Sequence, residues 1–300
     1  MIRTVYEAYS DLWSDEILAS VKKIIKTINV IHLPEEAEFL EDAPIYSTVV
    51  VINNPTIYLE TIILQKGFRH CISKDREDFP FELLMASLMC YSPNILTTNK
   101  LPFSFANFAK DPDEISDNSG STFYFTGTST KDKQRLIEEF NQFLNKDPRT
   151  KIINELAIEI TDELYSNALF HSGATRNQAG ELTVMKRVAD IFLYADKEIN
   201  FFATIDKDSL TFGCIDPFGT LDRTYLANHL LKLYVADTVA PAPGDGGAQL
   251  GIKMVIDNAA STYIYCEKGR KTIVACTLLL KGLYQNLKLT KHIHMISVDP

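Results

Sequence analysis

The stretch ELAIEITDELYSNALFHSG, residues 155–173, decides how the C-terminal half of the chain folds. Its apolar side chains recur at helical spacing, which predicts one long helix with a core-facing stripe. Glu163 and Asn167 are four residues apart, so they share one helix face at the edge of that stripe. A carboxylate that accepts a proton beside an amide oxygen that binds a hard cation indicates a magnesium nucleotide site. A solvated glutamate with an incidental asparagine explains the helix alone equally well.

The segments around this helix predict a sheet of antiparallel hairpins. Strands are predicted at 123–126 and within 181–194. A helix is predicted at 131–144, because Ser129 and Asp132 have a spacing similar to that of a capping box at its start. Residues 199–205 and 210–215 form one predicted hairpin, and residues 262–266 and 272–280 form another. Helices are predicted at 225–235 and 250–259, and the Gly- and Pro-rich residues 236–250 between them form a loop.

Three motifs follow one another in this half of the chain. They are ELYSN at 163–167, DPFG at 216–219 and GDGGAQLG at 244–251. Their order resembles the GHKL ATPases, the superfamily of DNA gyrase, Hsp90, histidine kinases and MutL. ELYSNALFHSG is most similar to the serine kinases that act as anti-sigma factors. The resemblance covers about residues 121–282 and implies a two-layer α/β sandwich of the Bergerat type, with a mixed, mostly antiparallel sheet, over residues 121–300.

The resemblance also implies a role for each motif residue. Asn167 would ligate Mg²⁺, Asp216 would accept a hydrogen bond from the adenine amino group of ATP, and Gly219 would permit the close turn behind it. Glu163 would be the catalytic base. Backbone N–H groups at a helix N-terminus would approach the phosphates at three glycines, Gly246, Gly247 and Gly251.

Two positions depart from the family pattern. The adenine motif is stretched to DPFG, and Gln249 stands where a glycine is usual in the Gly-rich motif. A residue with a Cβ cannot adopt every glycine conformation, so Gln249 argues against tight phosphate binding. The alternatives to a nucleotide site are that DPFG is only a turn and the Gly-rich segment only a linker.

The first half of the chain predicts a smaller parallel α/β unit. The β-branched run at 47–52 is typical of a buried parallel strand, and a helix at 58–66, a strand at 68–73 and a helix at 79–90 follow it. Residues 45–92 resemble the C-terminal part of a response-regulator receiver domain, with Lys74 at the position of the receiver lysine. The acidic residues that a receiver needs for phosphorylation are missing. We therefore expect a degenerate receiver-like domain at 1–95, a linker at 96–120 and the ATP-binding domain at 121–300; an unrelated small α/β domain is the alternative for the first half.

Composition limits the functional class. Three hundred residues are long enough for two domains, and a net charge of −9 argues against a nucleic-acid partner. Five scattered cysteines indicate a reducing compartment, and no window has the apolar length of a membrane span or the pattern of a signal peptide. We expect a cytoplasmic protein without a membrane partner.

Three functions are consistent with these observations. The first is an ATP-binding signalling regulator whose receiver-like half docks a regulatory partner protein and whose other half transfers phosphate to a Ser or Thr of that partner. The second is a non-catalytic switch in which nucleotide orders residues 236–250, and the third is a degenerate interaction module. A homodimer is compatible with each. His171 is expected to pack rather than to accept phosphate, and His292 and His294 are expected on an exposed terminal strand without a third metal ligand.

Overall fold

The protein combines one mixed ten-stranded sheet with helices on both of its faces. The computed structural model describes residues 2–52, 65–93, 121–172, 193, 197–235, 247–281 and 291–298. The strands are β1 (Arg3–Thr4), β2 (Asn29–Leu33), β3 (Thr48–Ile52), β4 (His70–Ser73), β5 (Ser121–Gly127), β6 (Ile199–Ile205), β7 (Ser209–Asp216), β8 (Ser261–Glu267), β9 (Lys271–Leu279) and β10 (His292–Val298). The helices are α1 (Val5–Tyr9), α2 (Asp15–Ile25), α3 (Phe79–Tyr91), α4 (Thr130–Leu144), α5 (Asn154–Ser172), α6 (Arg223–Val235) and α7 (Gly247–Asn258). The predicted α/β class is confirmed.

The sheet is continuous across both halves of the chain. Its strand order is β1-β2-β3-β4-β10-β8-β9-β7-β6-β5. Strands β2, β3 and β4 are parallel, whereas β5, β6, β7, β9 and β8 are joined by antiparallel pairings. Strand β10 joins the two sets, because it pairs antiparallel with β4 and parallel with β8. Most pairings in the sheet are therefore antiparallel, as the sequence predicted for its C-terminal half.

Several predictions fall on parts of the chain that lie outside the described residues. They concern nearly all of the helix at 58–66, the linker at 96–120 and nearly all of the strand within 181–194. The division of the chain into two domains stays a prediction. No helix in the described segments is both long and apolar enough to span a membrane.

Helices cover the two faces of the sheet in chain order. Helices α1, α2 and α3 pack on one face, with Ile25, Leu83 and Met89 fully or almost fully buried there. Helices α4 and α5 pack on the other face over β6 and β7, and α6 and α7 continue that layer toward β3 and β10. Side chains alternate along β10, so Ile293 and Met295 point to the α6 and α7 layer while Ile296 points to the opposite layer.

Residues 2–9, whose sequence suggests a short strand, form only the two-residue strand β1 and then helix α1. Thr4 and Glu7 form a capping box, in which the Thr4 hydroxyl accepts from the Glu7 N–H and the Glu7 carboxylate accepts from the Thr4 N–H. This local pair satisfies two N–H groups that a helix start leaves unpaired, so residues 5–9 are helical.

Helix α5 is held in place from both sides. Ser129 caps α4 as predicted, and its backbone carbonyl accepts a hydrogen bond from the buried hydroxyl of Tyr165, 3.2 Å away. Ile160 and Leu164 pack into the core beneath α5. The helix therefore has a fixed rotation about its axis, which sets where Asn167 points.

Candidate functional site

One cavity of about 1020 Å³ opens at the C-terminal end of β7, on the face of the sheet that α5, α6 and α7 cover. Pockets that hold a small ligand usually measure roughly 300–1,000 Å³, so a nucleotide fits this volume. Its walls come from α5, the end of β7, the start of α6, α7 and the turn between β8 and β9, and also from the N-terminal half. The lining side chains used below are Tyr46, Arg69, Asn167, Asp216, Gly219, Arg223, Ile252 and Lys268.

Asp216 lies at the end of β7 with its carboxylate inside the cavity wall. One carboxylate oxygen accepts from the backbone N–H groups of Phe218, at 3.0 Å, and Gly219, at 3.3 Å. The residue is only 8% exposed, and burial raises its pKa to about 6 although these hydrogen bonds oppose the rise. Near neutral pH the group is an ionised, oriented acceptor for a ligand N–H.

Gly219 closes the turn that begins at Asp216. Its φ of +58° lies in the left-handed region, and its carbonyl accepts from the Gly269 N–H at 3.0 Å. A Cβ added at Gly219 would lie 2.1 Å from the Glu267 carbonyl oxygen. The close backbone approach explains why a glycine is needed at the fourth position of DPFG.

Asn167 also lines the cavity. It belongs to α5, is 8% exposed, and lines the cavity together with Leu164 and Ala168. The oxygen of its carboxamide can bind an oxygen-preferring cation, and the carboxamide can also form hydrogen bonds with a polar ligand group. The structure thus brings three predicted site residues, Asn167, Asp216 and Gly219, to one cavity, although DPFG follows ELYSN by about 50 residues.

The other predicted site residues lie elsewhere. Glu163 is not among the lining residues of the described cavity, and its side chain contacts Gly251 instead, since a Cβ added at Gly251 would lie 1.9 Å from Glu163 Oε1. Helix α7 begins at Gly247, earlier than the predicted residue 250, so Gln249 and Gly251 both belong to this helix. Gly246 lies outside the described residues, as does the side chain of His171.

A second cluster of polar side chains lies on the opposite face of the sheet. The expectation of an exposed strand for His292 and His294 is wrong, because β10 is central and both side chains are fully buried. Asp78 and Glu82 lie close to His292, and one possible metal-ligating atom of each of the three residues lies within 4.8 Å of the other two. Sequence separation hid this cluster, since α3 and β10 are more than 200 residues apart.

The hydrogen bonds of this cluster argue for an ion-pair network and against a metal site. The Ser73 N–H donates to His292 Nδ1 at 3.2 Å, so the ring proton lies on Nε2, which donates to Asp78 Oδ1 at 3.1 Å. Asp78 also receives the Arg76 guanidinium. Neither ring nitrogen of His292 therefore keeps a lone pair for a cation.

Glu82 is the acceptor at the centre of the same network. Its carboxylate accepts from Ser261 Oγ and Tyr263 Oη, each at 2.7 Å, and from His294 Nε2 at 3.1 Å. Burial raises the pKa of Glu82, but the hydrogen bond from His294 and the charge of Arg76 outweigh it and hold that pKa well below its usual range. The buried carboxylate is ionised and joins α3 to β8 and β10.

His70 completes the network on β4. Its Nδ1 lies 3.0 Å from His294 Nδ1. Burial and the neighbouring His294 lower the pKa of His70 well below 6.5, so His70 is neutral and one of the two facing Nδ1 atoms donates to the other. His70 Nε2 is buried and has no hydrogen-bond partner within the described part of the chain.

Comparison with protein-family models, curated proteins and solved structures finds no match to this chain. The GHKL and receiver resemblances therefore stay predictions from the motifs.

Proposed function

We propose that this chain is an ATP-binding signalling regulator with a GHKL-type nucleotide site. The observation that carries the proposal is that Asn167, Asp216 and Gly219, predicted as site residues from two separate motifs, line one cavity of nucleotide size. A chance pair of motifs has no reason to converge on one cavity.

The chemistry of the cavity walls fits an adenine nucleotide. The buried carboxylate of Asp216 is fixed by its own backbone turn, so it is oriented to accept from the exocyclic amino group of adenine. Guanine carries a carbonyl oxygen at that position, and two acceptors facing each other repel. Asn167 would hold Mg²⁺, which supplies charge neutralisation for the phosphates when bound.

The receiver-like half is proposed to dock a regulatory partner protein. Phosphoryl transfer to a Ser or Thr of that partner is the catalytic form of the hypothesis, with Glu163 as base.

The position of Glu163 favours a second candidate, a switch that binds nucleotide without turnover. Its side chain lies between α5 and α7 against Gly251 and does not line the described cavity. A general base must come within hydrogen-bond reach of the proton it accepts, so catalysis requires a shift of α7 relative to α5.

Calorimetric titration tests the shared part of both candidates. Mg·ATP and, separately, Mg·GTP are titrated into the intact chain and into Asn167→Ala and Asp216→Ala, with Asn141→Ala on the exposed face of α4 as the matched control. We expect saturable ATP binding that both cavity variants lose and the control keeps, and weaker GTP binding. Absence of ATP binding at millimolar concentration would refute the nucleotide site.

Phosphate release then separates the candidates. Turnover that Glu163→Gln abolishes while ATP affinity is retained supports the catalytic form. Binding with no turnover above that of Glu163→Gln supports the switch.

A further inference from the structure

Two arginines form a cationic wall of the cavity on the side of the N-terminal half. Arg69 immediately precedes β4, and Arg223 is the first residue of α6. Both side chains are partly buried and line the cavity, as does Lys268. None of these residues belongs to the three motifs, so the proposed function does not account for them.

Neutral groups hold both guanidinium groups in place. Arg223 Nη2 donates to the backbone carbonyls of Gly67, at 2.7 Å, and Phe68, at 3.2 Å. Arg69 Nη2 donates to the Ser297 carbonyl at 3.0 Å, and its guanidinium stacks over the Tyr46 ring at 4.4 Å from the centroid. These contacts orient the two cations but leave their charges unneutralised.

The electrostatics of the pair favours a bound anion. Burial lowers the pKa of both arginines, and the charge of Arg69 lowers that of Arg223 further. Within the described residues, no carboxylate forms an ion pair with either one. The Nε–H of Arg223 is also buried without an acceptor in that part of the chain. Two adjacent cations, partly removed from water, are stabilised most by an oxyanion that both can contact.

The acidic groups on the cavity wall do not fill this role. Asp216 accepts from its own backbone turn, and Asp222 accepts from the Tyr225 N–H at 2.7 Å as the cap of α6. Their hydrogen bonds direct them to backbone donors rather than to the arginines.

We propose that Arg69 and Arg223 form an oxyanion subsite that takes a phosphoryl group. The inference rests on the proposed function in one respect: when a nucleotide fills the cavity, the phosphoryl group is one of its own. Because Arg69 belongs to the N-terminal half and Arg223 to the C-terminal half, an occupant of this subsite contacts both halves at once. The receiver-like half is then part of the ligand site and senses its occupancy directly.

Binding of three probes tests the subsite. Inorganic pyrophosphate, adenosine and Mg·ATP are each titrated by calorimetry into the intact chain and into Arg69→Gln, Arg69→Lys and Arg223→Gln. Arg135→Gln is the matched control, since Arg135 is an exposed arginine of α4 with carboxylate partners and does not line the cavity. Thermal unfolding without ligand identifies any variant that is itself destabilised, which matters for Arg223 because of its backbone contacts.

We expect pyrophosphate to bind the intact chain and the control, and its affinity to fall about tenfold or more in Arg69→Gln, the loss typical of a charge-assisted hydrogen bond. Arg69→Lys keeps the charge but not the planar fork, so it is expected between the two. Adenosine affinity should not change. Pyrophosphate binding that is absent in the intact chain, or equal in Arg69→Gln and the control, would overturn the subsite.

The three probes keep this proposal separable from the nucleotide site. Pyrophosphate binding through Arg69 with no binding of adenosine or ATP supports the subsite and refutes the proposed function. ATP binding that depends on Asp216 but is unchanged in Arg69→Gln refutes the subsite and leaves the proposed function standing. If the natural occupant of the subsite is a separate phosphate compound, pyrophosphate and ATP should bind at the same time. If the subsite holds the phosphates of the nucleotide itself, pyrophosphate and ATP should compete for it.

Discussion

Replacing Glu82 tests whether the buried network on the α3 face stabilises the junction between the two halves of the sheet. Glu82 is 2% exposed and accepts from side chains on two strands, Ser261 and Tyr263 of β8 and His294 of β10. Glu82→Ala removes the acceptor that these three donors share. Glu82→Gln keeps its size and one acceptor oxygen.

The two variants differ in expected cost because of what they leave unsatisfied. A buried donor that loses its partner costs about 1–3 kcal/mol, so three of them cost roughly 3–6 kcal/mol after allowing for hydroxyls that rotate to new acceptors. Glutamine still accepts from Ser261 and Tyr263 through one oxygen, but its NH2 group then faces His294 Nε2, whose ring must take the other tautomer to accept from it. Glu82→Gln therefore loses the charge-assisted hydrogen bond with His294 at a cost of about 1–2 kcal/mol. The larger loss is a substantial share of the roughly 5–15 kcal/mol by which a domain is stable.

Urea denaturation, followed by far-UV circular dichroism at pH 7.5, measures both changes. The free energy of unfolding is compared for the intact chain, the two Glu82 variants and Glu159→Ala, in which an exposed glutamate of α5 is removed. The control is expected to change by less than about 0.5 kcal/mol. The two Glu82 variants should differ from each other by at least about 1 kcal/mol.

Equal losses in Glu82→Ala and Glu82→Gln would contradict the reasoning, because they would show that the acceptor atoms do not matter. A loss no larger than that of Glu159→Ala would show that the network does not stabilise the sheet.

Three further predictions concern the turn, the cavity and acid stability. Gly219→Ala should cost at least about 2 kcal/mol more in urea denaturation than Gly269→Ala, because both have positive φ but only the first Cβ meets backbone, the Glu267 carbonyl, while the second meets nothing within 4 Å; equal costs would contradict this. The proposed adenine site requires the ionised form of Asp216, whose pKa is about 6, so adenosine affinity should fall about fourfold between pH 7.5 and 5.5. Asp216→Asn should bind weakly at both pH values, and an unchanged affinity in the intact chain would count against the assignment. The lowered pKa of buried His70 means that the unfolded chain binds a proton on this ring that the folded chain excludes. The contribution of His70 to stability is therefore complete above about pH 6.5 and falls by about 1.4 kcal/mol per pH unit below it. Urea titrations at several pH values should show a smaller slope in His70→Gln, and an identical slope would refute the assignment.

Local sequence patterns predicted the elements that depend on near neighbours. The β6 and β7 hairpin, the capped helix α4 and the long helix α5 lie within a few residues of their predicted bounds. Periodicity and caps act over short separations, so one sequence shows them. The error at residues 5–9 was avoidable, because Thr4 and Glu7 carry the capping-box spacing.

Contacts between distant segments could not be read in this way. From the sequence, His292 and His294 look like polar residues of an exposed strand; their partners Asp78, just before α3, and Glu82, within α3, lie far away in the chain. The Arg69 wall was missed for the same reason, since it is defined by residues of both halves. The sequence motifs identified residues that line the cavity. They did not show that Glu163 lies against Gly251 instead, because that contact depends on how α5 and α7 pack.

The central position of β10 has a consequence for synthesis of the chain. This strand is the last of the ten to leave the ribosome, yet it fills the gap between β4 and β8. Until it arrives, both of those strands expose an unpaired edge, and such edges are templates for pairing with other chains. His70 and His294 are 224 residues apart, so closing the sheet also requires the search over a long loop that slows folding. We therefore expect the nascent protein to depend on chaperones until translation of residues 292–298 is complete.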